Sequence, residues 1–487
     1  MGRLLLDLAI FGSILLIGVL ADDWIASAGL AMLYVGMRFM LHDPGPPVAG
    51  LAFANQWLQV MAGIIWFVVT GRRVMEMRTG FYRPMVIVGL VCIATLFAGF
   101  YLGSGIRRKS AYRPRVPKPL PWTTNQLAVT YVALVAASGI LTEIAWSTAG
   151  LTQAILIFSR VRYVLLFLLI TRLVRPTPKW TWIAATVGLE LALGFAGFFA
   201  DFREPLIIAA VAVFGAMDRR KARTWAVLGC LGILAISSAL IWTAIKPVIR
   251  RNYVGYATRS ERLTAVLTVT GMTFARGPDV WKYEGDSMVS RIWSVYFPGL
   301  ALARVPSVVP YENGKILRAA VENVMTPRLF FPDKPPLPSQ SDEVRKYSGV
   351  WVGGRESNTS YAFGYAGESY VDFGIPYMFL PIFVFGFLFG LSYRFINRRV
   401  KHDEIRVGVL IVIVWSTLGV YEASWVMLIG PTITMLILLG GTAMLLDSVL
   451  VRRERTSARR INRAPRPVPA AAARIPGPNV PRIRGAS

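Results

Sequence analysis

Nearly uncharged apolar runs alternate with short basic breaks along the chain, at 4–20, 24–41, 50–70, 84–102, 125–142, 150–173, 181–199, 205–216, 224–245, 374–395, 405–421 and 424–447. Most have the length, about 17–25 residues, that an α-helix needs to cross a hydrocarbon core roughly 30 Å thick. The pattern predicts an all-α polytopic membrane protein with about twelve transmembrane helices. Two windows fit least well: 150–173 is interrupted by Arg160 and Arg162, and 205–216 is short unless the bilayer thins around it. The first run lacks a small-residue cleavage site before Ala21-Asp22-Asp23, so it reads as a retained helix rather than a signal peptide. The order of runs divides the chain into residues 1–245 with helices 1 to 9, a large polar loop over 246–373, helices 10 to 12 over 374–450, and a tail over 451–487.

Composition supports the membrane assignment: 54% of residues are apolar and mean hydropathy is +0.50. The net charge of +26 would suit a nucleic-acid partner, but most of the excess sits in short loops and the tail, where the retention of basic loops in the cytoplasm accounts for it. With twelve spans, the basic clusters in 103–124, 172–179, 217–223 and 398–401 share one side with the tail. Both termini are therefore expected in the cytoplasm and 246–373 outside. The basic stretch Gly71–Arg83 breaks the rule, landing outside. The tail, with ten Arg and one Glu among Pro and Ala, is expected to be disordered and held against anionic headgroups, making membrane lipids a partner. Cys92 and Cys230 fall in apolar windows, and His42 and His402 lie at cytoplasmic loops, so neither a disulfide framework nor an outer His-based metal site is expected.

The loop 246–373 carries 16 Lys or Arg and 12 Asp or Glu around short amphipathic stretches, which suits interfacial helices folded over the bundle. Four pieces follow in order: "SRIW" with Arg291, Tyr311 with Gly314, Pro327 to Pro335 in "PRLFFPDKPP", and "GESYVDFG" from Gly367 to Gly374. Upstream stands "ADFREPLII" with Arg203. Together they resemble the bacterial oligosaccharide repeat unit polymerases, the Wzy-type O-antigen and exopolysaccharide polymerases, over roughly residues 195–400. The resemblance implies a GT-C-like fold in the bacterial inner membrane, glycosyl transfer without cofactor or metal, and undecaprenyl-diphosphate-linked glycans as substrates. It also implies a chain-length regulator as a further partner.

In such a reaction a growing glycan leaves its lipid diphosphate, and negative charge develops on that leaving group. Preorganised guanidinium or ammonium groups stabilise it, Arg better than Lys because its planar fork binds phosphate oxygens in pairs. The expected diphosphate- and substrate-binding set is Arg203, Arg291, Arg328, Lys334, Arg162, Tyr311, Asn358 and Tyr370, with Glu368 as the catalytic base for the acceptor hydroxyl. A helix beginning at Gly374 would set Glu368 near the outer membrane surface.

Each residue has a structural alternative. Arg203 could snorkel to headgroups, Arg160 and Arg162 could mark an interfacial helix, and Arg291 could be a solvated helix residue. Arg328 and Lys334, brought together by a Pro-bounded turn whose Phe330 and Phe331 dip into the interface, could merely cap the bundle. Glu368 could be an acid favoured by the helix macrodipole. Asp372, Asp333 and Glu356 are weaker acids for the role, and Tyr361, Tyr365 and Tyr370 could stack on sugars or serve as belt residues. "GFLFG", Gly386–Gly390, reads as a helix-contact motif.

Other classes stay open. A polyprenyl-phosphate-sugar glycosyltransferase would place an acidic pair such as Asp22 and Asp23 in its first outer loop, although only about three residues separate the first two spans here. An O-antigen ligase would use an outer-loop His, which this chain lacks. A flippase or transporter would spread charge through many helices.

Overall fold

The computed structural model describes the chain except residues 1, 21–22, 42–47, 74–76, 78–80, 107–119, 149, 197–201, 219, 254–258, 276, 335–338, 355, 357–358 and 464–487. Among the described residues every regular element is helical. The first five apolar windows become α1 (Gly2–Leu20), α2 (Trp24–Leu41), α3 (Val48–Thr70), α4 (Tyr82–Ser104) and α5 (Thr124–Ser147). A capping box starts α5: the Thr123 hydroxyl accepts from Gln126 N–H and the Gln126 side chain accepts from Thr123 N–H. Next come α6 (Thr152–Ser159) and α7 (Val161–Val174), α8 (Trp180–Ala196), α9 (Arg203–Ala216) and α10 (Ala222–Tyr253). The polar loop folds into α11 (Arg259–Ala275), α12 (Pro278–Ile292), α13 (Tyr296–Arg304), α14 (Lys315–Met325), α15 (Gln340–Ser348) and α16 (Gly364–Phe373). After α17 (Phe379–Arg399) and α18 (Asp403–Leu418), α19 (Trp425–Met435) passes through a π-helical turn, Leu436–Gly440, into α20 (Gly441–Arg463).

Seven helical stretches among the described residues are long and apolar enough to cross a membrane: Val48–Thr70, Tyr82–Ser104, Thr124–Ala145, Thr152–Val174, Ala222–Pro247, Phe379–Arg399 and Trp425–Glu454. The protein is therefore a membrane-embedded helical protein. The window at 150–173 is one span despite its arginines, because the chain keeps right-handed helical dihedrals at Arg160 and only tightens there, with Arg160 N–H donating to Ile157 O at 3.0 Å.

Three expected boundaries move. Residue 246 is not the end of a helix, since α10 continues to Tyr253 through Pro247. No helix begins at Gly374. That glycine has φ +65° and, with Pro376 beyond it, separates α16 from α17. The tail is not irregular from residue 451, because its Arg-, Glu- and Ala-containing start extends α20 to Arg463, ahead of the first proline of the tail.

Two compact units result, Met1–Met444 and Leu445–Ser487; all that follows concerns the first. Its tightest seam joins α4 to α17. A Cβ on Gly99 or Gly103 would stand 2.4 Å from Phe383 O or 2.1 Å from Phe387 O, and one on Gly386 or Gly390 would stand 2.3 Å from Leu96 O or Phe100 O. Both helices thus present a small-xxx-small stripe, and backbone meets backbone.

A second seam is polar. Three amides in the apolar helix α3 reach the end of α18 and the loop after it: Asn55 Nδ2 donates to Gly419 O at 2.5 Å, Gln56 Nε2 to Leu418 O at 2.8 Å, and Gln59 Oε1 accepts from Tyr421 N–H at 2.5 Å. Carbonyls left open where a helix stops inside a bundle need such partners.

Candidate functional site

Residues 419–424, between α18 and α19, are where the elements of interest meet. On one side the loop holds α16. Tyr365 N–H donates to Ala423 O at 2.7 Å, and Gly364, at φ +81°, lies so close that a Cβ would be 3.2 Å from Tyr421 O. Tyr365 OH donates to Gln56 Oε1 at 2.8 Å, and its ring packs against Tyr421 and Trp425 at centroid distances of 5.5 and 5.9 Å. Just past the loop, Trp425 N–H donates to Glu368 Oε2 at 2.7 Å and its indole N–H to Ser369 Oγ at 3.1 Å. Glu368 is 2% exposed, so it lies inside the protein rather than at a surface.

Facing Glu368 is a second carboxyl, Glu343 of α15, within hydrogen-bonding reach. Burial pushes both above the usual carboxylate range, and the charge of Glu343 raises Glu368 further. Two carboxyls in contact bind one proton between them at neutral pH, because a second negative charge in poor solvent is too costly. Among the described residues no three His, Cys, Asp or Glu side chains are placed to hold a metal ion.

On the loop's other side is Glu422, partly buried, with Ser294 OH 3.5 Å from its Oε2. Burial raises its affinity for a proton, and the charges of Arg203 and Arg291 oppose that. Arg203 opens α9 and Arg291 stands in the last turn of α12, so the charges of two exposed guanidinium groups from distant parts of the chain act on one carboxylate. Behind Arg203, Glu204 lies 3.3 Å from Arg160, whose other contact is Ser416 Oγ on α18 at 2.5 Å.

Other expected residues go elsewhere. Arg162 donates to Tyr163 OH at 2.7 Å and lies over that ring. Arg328 and Lys334 do come together through a tight turn, in which the N–H groups of Phe330 and Phe331 both donate to Pro327 O at 3.0 Å. Partial burial and the charge of Arg328 hold the Lys334 ammonium below its ordinary pKa. Lys334 Nζ, however, donates to the Asn323 and Thr326 carbonyls at the end of α14, a helix-capping role. Arg328 is exposed, as are Phe330 and Phe331. Asn358 lies outside the described residues.

Tyr311, Gly314, Tyr370 and Gly374 form an interlock. The Tyr311 ring fills the space a Cβ on Gly374 would need, at 2.7 Å, and lies 6.1 Å from the Tyr370 ring, whose OH donates to Val305 O at 2.7 Å. Gly314, at φ +83°, opens α14, and Asp372 caps that helix from outside, accepting from Ile316 N–H at 3.1 Å and Leu317 N–H at 2.8 Å. Of the acidic pair near the first span, Asp23 caps α2 through Ile25 N–H at 3.0 Å and lies 3.5 Å from Arg83; Asp22 is outside the described residues.

Glu343, Glu422 and the amides of α3 were not singled out in the sequence. The amides carried a signal, three hydrogen-bonding side chains within five residues of an apolar window. Glu343 and Glu422 carried none, since their significance is only their placement.

Fold and site together define a helical membrane protein whose polar loop region packs against its bundle, with a carboxyl pair at Glu343 and Glu368 and a carboxylate, Glu422, under the charge of two arginines. A family described as a domain of unknown function, DUF8712, matches residues 91–397, and the chain belongs to it. No curated protein and no solved structure matches the chain.

Proposed function

We propose that this protein polymerises lipid-diphosphate-linked oligosaccharide repeat units, in the manner of the Wzy-type polymerases its motifs resemble. The observation that carries the reading is that the charges of Arg203 and Arg291 act on Glu422 in the loop 419–424, just past which Trp425 N–H holds Glu368 of the carboxyl pair. Sugar transfer from a lipid diphosphate needs cations for the leaving group and a base for the acceptor, and these residues supply one of each within a single loop's reach.

In the proposed step the acceptor hydroxyl gives its proton to a carboxylate of the pair. Its oxygen bonds to the anomeric carbon of the growing chain, the bond from that carbon to the diphosphate breaks, and the electron pair leaves with the lipid diphosphate. Arg203 and Arg291, whose charges act on Glu422 at rest, take up the developing charge. A topology of twelve spans, with both termini in the cytoplasm and 246–373 outside the inner membrane, belongs to this proposal, because the substrate would be met on the outer leaflet.

The test is loss of the protein in cells, which should leave surface glycolipid bearing one repeat unit. Unchanged polymer length would remove the proposal. With purified protein and lipid-linked repeat units, Arg291→Lys should slow extension, since it keeps the charge and loses the fork.

A further inference from the structure

The carboxyl pair is not symmetrical, and its asymmetry divides the chemistry. Glu368 is 2% exposed, and one of its oxygens is occupied by Trp425 N–H at 2.7 Å. Glu343 sits near the start of α15 with partial exposure, one turn before Lys346. When two carboxyls share a proton, the charge settles on the better hydrated one, because desolvation penalises the charged form. The other then behaves like an amide, accepting with one oxygen and donating from the other.

Resting on the polymerase reading, we infer that Glu343 is the catalytic base that takes the acceptor-sugar proton, and that Glu368 is the neutral positioning residue that orients it. Glu368 accepts from Trp425 N–H and donates its O–H to Glu343, so the base is aimed by a contact that reaches α19. The charged and titratable groups facing the pair are Asp372 of α16 together with Asp342 and Lys346 of α15 itself. Lys346 is already engaged: its ammonium donates to Glu312 at 2.5 Å. It draws charge toward Glu343 without neutralising it. An aromatic face for a sugar is also near this helix, since half-exposed Tyr361 is tied through its N–H to Ser341 Oγ at 3.0 Å.

The two carboxyls therefore answer differently to the same substitution. Gln at 368 supplies the acceptor for Trp425 N–H and a donor for Glu343, whereas Gln at 343 leaves no base. The experiment is extension of lipid-linked repeat units by the purified full chain between pH 5 and 9, with melting of each variant in detergent micelles as a separate check on folding. The wild-type rate should fall on the acid side of about pH 7, where Glu343 takes up its proton. Glu368→Gln should stay within about tenfold of wild type and keep that limb, whereas Glu343→Gln should lose roughly 100-fold or more, the usual worth of a general base. Glu343→Asp keeps a carboxylate and should recover part of the rate, which makes the test usable even where Glu343→Gln melts early. An active wild type with Glu343→Gln at full rate, or with Glu368→Gln as damaged as Glu343→Gln, overturns the assignment alone. An inactive wild type overturns the polymerase reading and the assignment with it.

Discussion

Replacing Gly103 by Ala tests the backbone seam between α4 and α17. The added Cβ would stand 2.1 Å from Phe387 O and 3.0 Å from Leu391 N, both backbone atoms that no rotamer change can move. Carbon contacts settle near 3.5–4.0 Å, so the helices must part by about 1.4 Å or more, and a gap of even 0.5–1 Å forfeits a quarter to a half of the dispersion energy along the seam. Overpacking of this kind costs about 1–3 kcal/mol. The matched control is Gly232→Ala on α10, where no atom lies within 4 Å of the new methyl group, so helix propensity alone should leave stability unchanged or raise it by about 0.5–1 kcal/mol. Unfolding by graded SDS in dodecyl maltoside micelles, followed by circular dichroism, measures both. If Gly103→Ala unfolds with wild type, or Gly232→Ala falls by as much, close backbone approach is not what holds the seam.

Stability should also depend on pH through the carboxyl pair. Glu343 binds a proton more tightly folded than unfolded, so its contribution is complete below the ordinary carboxylate pKa and is lost as pH rises through about 7; Glu368, raised by burial and by the charge of Glu343, contributes in the same direction. Melting temperature in micelles should therefore drop between pH 5 and pH 8, and Glu343→Gln should flatten that drop; an equal drop in the variant would place its origin elsewhere. Helix α14 is held at both ends by side chains from outside it, so Asp372→Ala should cost about 0.5–2 kcal/mol as a lost N-terminal cap, read as earlier melting. Lys334→Met, which releases the C-terminal carbonyls, should lower melting in the same direction, and a pair of unaffected variants would mean that α14 is held by packing alone.

What could be read before the structure depended on how local the signal was. Helices were legible because an apolar run of fixed length is a local property, and "GFLFG" was legible as a contact surface because its spacing of four puts both glycines on one helix face. Its partner stripe, Gly99 with Gly103, has the same spacing and needed only to be paired with it. Arg203 and Arg291 were singled out from motif order, and the charges of both act on one carboxylate, Glu422, that no local pattern distinguished. Arg328 and Lys334 were equally conspicuous, yet Lys334 spends its ammonium on the end of α14, because a cation near unpaired helix carbonyls is drawn to them first. The acid pair was half legible. Glu368 stood out through its place in "GESYVDFG", but the group that gives it meaning lies 25 residues earlier on another helix, and only tertiary packing joins them.

The amide row of α3 bears on how the protein is made. Asn55, Gln56 and Gln59 find their partners 364, 362 and 362 residues later in the chain. During synthesis α3 enters the bilayer long before Leu418, Gly419 and Tyr421 exist, so three amides must wait in water, in the insertion machinery or against provisional neighbours. The bundle consequently has to stay open on that side until its last helices arrive, and their arrival closes it. A chain stopped short of residue 418 would lack the partners of all three amides.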